Sequence, residues 1–331
     1  MGILLREKDY AVQMADTVEP FLARRETQLQ LEREKNCTIS CMRYLADEPQ
    51  GSILIMHGYR GSAEQFKEAV YYFVVAGYHV YAMDLCGHGR SYRLVEDLSL
   101  IHVDSYMRYV NDTIYVARYC KDEHPDLPLY VFGHSLGGAL AVAAASIEQD
   151  LFAKIILSSP MIRLSTGTIP WKMMEQVIYM ACEDGGDKEY ALGQHPFTGE
   201  EFFEESEAVS RPRYEYYWQK RKADQLLQMT GYSYGWLREI FRLDEYLHNS
   251  AWKTVTVPLI VFQATGEYRV SKSEQERFVE KTRQAGNLDA EIVHLGKSKH
   301  EIFNAAPETI KKYWMRIFEF LGNTSVEVTY E

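Results

Sequence analysis

Short, almost wholly apolar runs recur along this chain, at residues 52–56, 79–83, 129–132, 155–157 and 259–262. A strand exposed on one face alternates apolar and polar side chains. A continuous apolar run needs cover on both faces, which a parallel sheet flanked by helices supplies. Helical spacing separates the runs, at residues 63–76, 103–119 and 136–147. Strand and helix in alternation predict an α/β fold built on a doubly wound, mostly parallel sheet. Ahead of these, residues 28–32 alternate strictly and 38–44 nearly so, which predicts two further strands.

The alternation stops between about Pro160 and Leu247. This stretch is rich in aromatics, methionine and charge, and it lacks buried-strand runs. Apolar residues at 170, 173, 174, 177, 178 and 181 have helical spacing. The α/β pattern resumes at Val257-Pro258-Leu259-Ile260. The expected organisation is one core of residues 1–159 and 248–331, with a helical cap inserted at 160–247. A second independent domain is the alternative, and the return of the core pattern disfavours it.

The stretch Gly133-His134-Ser135-Leu136-Gly137 sits where an apolar strand meets an alanine-rich helix. A G-x-S-x-G turn in that setting lifts a serine clear of the sheet on strained backbone, and the glycines leave room for it. The following helix directs its positive N-terminal end at the same point. Ser135 is the candidate nucleophile. A serine hydroxyl needs a base, and the base an orienting carboxylate. In the α/β-hydrolase arrangement the acid and then the histidine follow the serine in the chain.

That order excludes His57, His79, His88, His102, His124 and His134. His195 and His248 lie in or beside the cap, and His294 lies within the last predicted strand, 290–295. His300 follows that strand directly and is the expected base. The acid should follow the strand at 259–262, and Glu267 is the only carboxylate in the loop 263–270. Asp84 also ends a strand but precedes Ser135, so a structural role is expected for it. Oxyanion donors are expected from the backbone N–H of Leu136 and from Tyr59, in the loop His57-Gly58-Tyr59-Arg60-Gly61-Ser62. His57 is expected to orient that loop.

With these residues in place, a family resemblance stands out. LIMHGYRGSAEQF at 54–66, MDLCGHGRS at 83–91, GHSLGG at 133–138 and KHEIFNA at 299–305 resemble the lysophospholipase and monoacylglycerol lipase branch of the α/β-hydrolases. GRSYRLVEDLSLIHVDSYMRYVND at 89–112, SRPRYEYYWQ at 210–219, TGYSYGWLRE at 230–239 and EYRV at 267–270 are similar to the bacterial lysophospholipase L2 type. Cys86 departs from the pattern, where related proteins often carry arginine. The resemblance implies hydrolysis of a carboxylic ester in a small single-chain lipid through an acyl-enzyme on Ser135, without a cofactor.

Two features of the cap have competing readings. Trp171, Met173, Met174, Val177, Ile178 and Met180 either line an acyl-chain channel or pack on the domain below. Arg211, Arg213, Lys220, Arg221 and Lys222 form a basic cluster. Either Arg211 and Arg213 bind a phosphate headgroup, or the cluster is a solvated helix face. Two other functions stay open: an esterase or aminopeptidase of the same fold, and a non-catalytic binding protein. The peptidase would need an acidic anchor for an amine.

The bulk numbers narrow the partners. A net charge of −11 disfavours nucleic acid and strong attachment to anionic membranes. With 46% hydrophobic and 25% charged residues over 331 positions, a large core is available. No run approaches the roughly 18 apolar residues of a membrane span. The chain begins Met-Gly, but Arg6 stands where a myristoylation signal has Ser or Thr. A cytoplasmic protein is expected, with transient peripheral membrane contact left open. Five scattered cysteines suit free thiols. Neither a metal site nor a nucleotide-binding glycine loop is evident.

Overall fold

A computed structural model describes residues 2–330. Its strands among those residues are β1 (Glu26–Glu34), β2 (Cys37–Tyr44), β3 (Ser52–Met56), β4 (His79–Met83), β5 (Leu100–Ile101), β6 (Leu129–His134), β7 (Lys154–Ser158), β8 (Gly231–Tyr232), β9 (Leu259–Ala264) and β10 (Ala290–Leu295). Eight of them form one sheet in the order β1-β2-β4-β3-β6-β7-β9-β10. From β4 through β10 every pairing is parallel, whereas β2 runs antiparallel to both β1 and β4. The small pair β5 and β8 is also parallel.

Residues that alternate along a central strand feed opposite cores. Leu54, Val131, Ile155 and Val261 face one cluster, and Ile53, Ile55, Phe132 and Ile260 face the other. This two-sided burial is why the runs are apolar throughout. Strand order reverses between β3 and β6, and the crevice at the carboxyl ends of the strands flanking such a reversal is where α/β sheets place their sites. The loops carrying Tyr59 and Ser135 leave the sheet there.

Helical turns over residues 10–23 were not evident from the sequence pattern. Tyr10, Met14, Val18 and Leu22 recur every four residues and are all buried against the second cluster. That spacing is the signal. Residues 160–247 add no strand to the main sheet. Their helices are Trp171–Glu183, Arg211–Ala223 and Tyr234–Asn249. In the last of these, Trp236, Leu237, Ile240, Phe241, Leu243 and Leu247 join the same hydrophobic cluster as the strands, and the expected boundary at 247/248 falls inside this helix.

Ion pairs tie the inserted segment to the core. Arg213, whose side chain is 1% exposed, donates to both oxygens of Glu68 at 2.9 and 2.8 Å and to the Leu5 carbonyl at 3.1 Å. Lys220 bridges Glu19 and Glu64, and Tyr216 donates to Glu19 at 2.9 Å. Removing one member of a buried pair strands the other. Glu68→Gln should therefore lower stability by about 3–5 kcal/mol, and replacing Glu68 and Arg213 together with Met should recover most of it. Urea unfolding midpoints test this; a single-variant loss as small as that of a surface pair would refute it.

Candidate active site

Ser135 stands between β6 and the helix Leu136–Ile147 with φ 51° and ψ −114°. Its N–H donates to the Ser158 carbonyl at 3.0 Å, and its carbonyl accepts from Met161 N–H at 2.9 Å. Its side chain caps no helix N–H. The neighbouring glycines are required by contact. A β-carbon on Gly137 would lie 2.3 Å from the Met56 carbonyl oxygen, and one on Gly133 would lie 2.7 Å from the Gly137 carbonyl oxygen. On Gly58 it would lie 2.9 Å from Ser135 Cβ, so this glycine brings the loop after β3 against the serine.

His300 lies in the loop after β10, and its Nδ1–H donates to Glu267 Oε2 at 2.7 Å. That bond leaves Nε2 as the acceptor nitrogen. The Glu267 carboxylate is fully enclosed, and its Oε1 accepts from the N–H groups of Arg269 (2.8 Å) and Val270 (3.2 Å). Gly266 allows the two loops to meet: a β-carbon there would lie 2.6 Å from the Ser298 carbonyl oxygen. Ser135 and His300 line one cavity of about 640 Å³, within the range of small-molecule sites. Among the described residues Ser135 Oγ has no hydrogen-bond partner, and such bonds often tighten only when substrate is bound.

Neither the Tyr59 nor the Leu136 N–H has an acceptor among the described residues. The Tyr59 hydroxyl donates to the Thr230 carbonyl at 2.5 Å, and its ring packs on Trp236 with centroids 5.1 Å apart. These contacts fix its loop against the inserted segment. His57 Nε2 accepts from Leu85 N–H at 2.9 Å, while Nδ1 meets the Gly58 carbonyl at 2.7 Å. Burial lowers its pKa, in keeping with a neutral ring. Asp84 accepts from Ala63 and Arg90 N–H, so it holds two loops together.

Two expectations need correction. Arg211 and Arg213 do not reach the cavity. Arg211 is exposed and pairs with Glu204 and Glu215, and Arg213 points the other way, into the Glu68 pair. Successive basic residues on a helix face different directions, and of this cluster Arg221 lines the cavity. The apolar stripe at 171–180 does not line it either. Trp171 stacks on Phe241 at 4.0 Å and Ile178 is buried, while Met173, Val177 and Met180 face solvent.

Residues not foreseen line the same cavity: Arg60, Gln65, Glu201 and Glu301. Glu301 accepts from Gln65 Nε2 and Asn304 Nδ2, both at 2.8 Å. Burial, aided by the nearby Glu207, raises its pKa despite the Asn304 bond. Its place beside His300 was a usable signal. Arg60 and Glu201 pair across 141 positions, which no local pattern announces.

The fold and this geometry define an α/β-hydrolase. The sequence pattern of the serine aminopeptidase S33 family (Hydrolase_4) matches residues 47–306, and the chain belongs to that family. Lysophospholipase L2 of Escherichia coli K12 is 27% identical over 251 residues, which cover 74% of this chain and 72% of that one. A monoacylglycerol lipase of Mycolicibacterium smegmatis is 30% identical over 123 residues, covering 37% of this chain and 42% of its own. The solved structure of a soluble variant of monoglyceride lipase from Saccharomyces cerevisiae superimposes with a TM-score of 0.71 at 15% identity, covering 92% of this chain and 96% of that one. A thermostable carboxyl esterase from Bacillus coagulans gives 0.70 at 17% identity, covering 92% and 99%. These neighbours share the fold.

Burial alone would raise the Glu267 pKa. The His300 hydrogen bond and charge, with the Arg269 and Val270 N–H groups, outweigh burial and hold it below 4.5. The pairing thus contributes its full stability at neutral pH and loses it as pH falls from about 4.5 through the lower folded-state value. Glu267→Gln should flatten this acid limb of the stability curve. Urea midpoints between neutral and strongly acidic pH check this, and an unaltered limb would count against the pairing.

Proposed function

We propose that this protein hydrolyses the carboxylic ester of single-chain lipids, lysophospholipids or monoacylglycerols, through an acyl-enzyme on Ser135. One observation carries the reading: a serine on a left-handed turn shares a cavity with a histidine whose Nδ1 is fixed by an enclosed carboxylate. His300 Nε2 accepts the Ser135 proton as Oγ attacks the acyl carbonyl. The Tyr59 and Leu136 N–H groups receive the developing oxyanion. His300 returns the proton to the leaving alcohol, and water then frees the fatty acid. The relatives' names support a lipid, and Met161, Leu164, Val270 and Trp236 give the cavity an apolar wall for an acyl chain.

The family's description raises a peptidase reading, which needs a free carboxylate for an amine. Glu201 is shared by two arginines and Glu207 pairs with Arg269, which leaves Glu205 and Glu301 as the cavity carboxylates without an arginine; the apolar wall and the relatives' names favour the ester reading. Faster turnover of a proline naphthylamide than of a nitrophenyl acyl ester would reverse that order.

The direct test is fatty acid release from lysophosphatidylethanolamine and monoacylglycerol. Ser135→Ala should lower it by about 10⁴-fold or more, with Glu267→Gln also severe. Wild type that neither releases fatty acid nor reacts with a fluorophosphonate would indicate a non-catalytic binding protein instead.

Transient contact with a lipid surface belongs to the same proposal. No helix among the described residues is long and apolar enough to cross a membrane. Met173, Val177 and Met180 nevertheless form an exposed apolar stripe along the helix Trp171–Glu183, with Ile169 exposed just ahead of it. Replacing Met173, Val177 and Met180 with Ser should reduce co-sedimentation with phospholipid vesicles while leaving turnover of a soluble short-chain ester unchanged. Equal co-sedimentation would refute the contact.

A further inference from the structure

The cavity wall carries a charge triad that the hydrolytic steps leave unused. Arg60, in the loop after β3, and Arg221, in the helix Arg211–Ala223, donate to the same oxygen, Glu201 Oε2, at 2.7 Å each. Two guanidiniums share one carboxylate, so one positive charge stays unbalanced. Arg221 is anchored: its Nε and Nη2 donate to the carbonyls of Leu227 and Met229 at 3.2 and 3.0 Å, and its side chain is 6% exposed. Arg60 sits on left-handed backbone, φ 62°, and its buried Nε has no acceptor among the described residues. Burial would raise the Glu201 pKa, yet Arg221 and Arg60 together hold it low, so the carboxylate stays ionised inside a positive field.

Among the described residues no carboxylate other than Glu201 forms an ion pair with Arg60 or Arg221, although the lining as a whole holds Glu201, Glu205, Glu207 and Glu301 against three arginines. Arg269 is balanced by Glu207. Glu301 lies with Glu207 on the His300 side, its N–H donating to the Glu207 carbonyl at 3.2 Å. Glu205 adds a further carboxylate to the lining. Arg60 follows Tyr59 directly, so the triad adjoins the proposed oxyanion site. A group bound there would belong to the same substrate molecule as the scissile ester, a few bonds away.

We propose that Arg60, Glu201 and Arg221 form an anion subsite that takes the phosphate of a lysophospholipid headgroup. Of the two lipid classes considered above, the phosphate-bearing one is then preferred. The inference rests on the hydrolytic reading and adds to it the residues that select the substrate. Arg60 Nη1 has no acceptor among the described residues, and with the charge of the anchored Arg221 behind it this guanidinium suits a phosphodiester, whose oxygens accept charge-assisted hydrogen bonds from arginine. The neutral glycerol of a monoacylglycerol gains less from them.

The test compares kcat/KM for lysophosphatidylethanolamine and monoacylglycerol in wild type, Arg60→Gln, Arg60→Lys and Glu201→Gln. The wild-type ratio should favour the phospholipid. Arg60→Gln should lower that ratio by about 10- to 100-fold, the range expected for losing a charged hydrogen bond, and Arg60→Lys should restore part of it. Glycerol 3-phosphate should compete with a neutral nitrophenyl ester, more weakly in Arg60→Gln and more strongly in Glu201→Gln, where a negative charge is removed. A merely structural role would not strengthen binding in the last variant.

Equal loss on both lipids, or a wild-type preference for monoacylglycerol, would overturn the subsite. Inhibition by inorganic phosphate as strong as by glycerol 3-phosphate, with no change in the lipid ratio, would assign it to free phosphate. Absence of turnover on every ester would instead sink the hydrolytic reading, and the inference with it.

Discussion

The turn at Ser135 is the constraint on which the rest of the structure depends. A side-chain-bearing residue at φ 51°, ψ −114° carries strain of about 1–3 kcal/mol and persists only where its surroundings over-determine it. Here they do. The Ser135 N–H and carbonyl are both bonded to the strand end and loop of β7, and three glycines remove every β-carbon that would push the turn apart. The same absence of side chains lets the loop after β3 lie against the serine. One backbone device therefore sets both the position of the Ser135 hydroxyl and the close approach of the loop that carries Tyr59.

A second set of interactions holds residues 160–247 over that turn, and ion pairs add to the apolar contacts there. Arg213 and Lys220 reach the core carboxylates Glu68, Glu19 and Glu64 on one side. On the other, Arg60 meets Glu201 and Arg269 meets Glu207. In an acidic chain these basic side chains are placed where carboxylates converge. Exposed pairs contribute little, but the enclosed Arg213 guanidinium meets both Glu68 oxygens and the Leu5 carbonyl in this seating of the helix Arg211–Ala223, and losing them would leave a buried charge unpaired. That seating turns Arg221 toward the cavity.

How much of this was legible follows from how local each signal is. Strands buried on two faces announce themselves through composition, and the serine turn through its glycines. Glu267 and His300 were readable because each follows a strand end, and the topology of the sheet gathers strand ends at one edge. The basic cluster at 211–222 was read as a unit, yet helical geometry sends Arg211 to solvent, Arg213 to Glu68 and Arg221 to the cavity. Sequence proximity says little about shared direction on a helix.

Arg60 joins the two systems. It belongs to the loop that the glycine contacts press against Ser135, and it pairs with a carboxylate carried by the inserted segment. Any movement of that segment would be felt, through Glu201, one residue from the amide proposed to receive the oxyanion. The proposed chemistry, placed by the sheet, and the proposed selection, reached through Glu201, would thus meet within a dipeptide, Tyr59-Arg60. A rigid core loop can serve many acyl substrates. In the proposed reading, the charge that would discriminate among them stands beside it, so that a bound headgroup and a developing oxyanion would be held by the same short stretch of backbone.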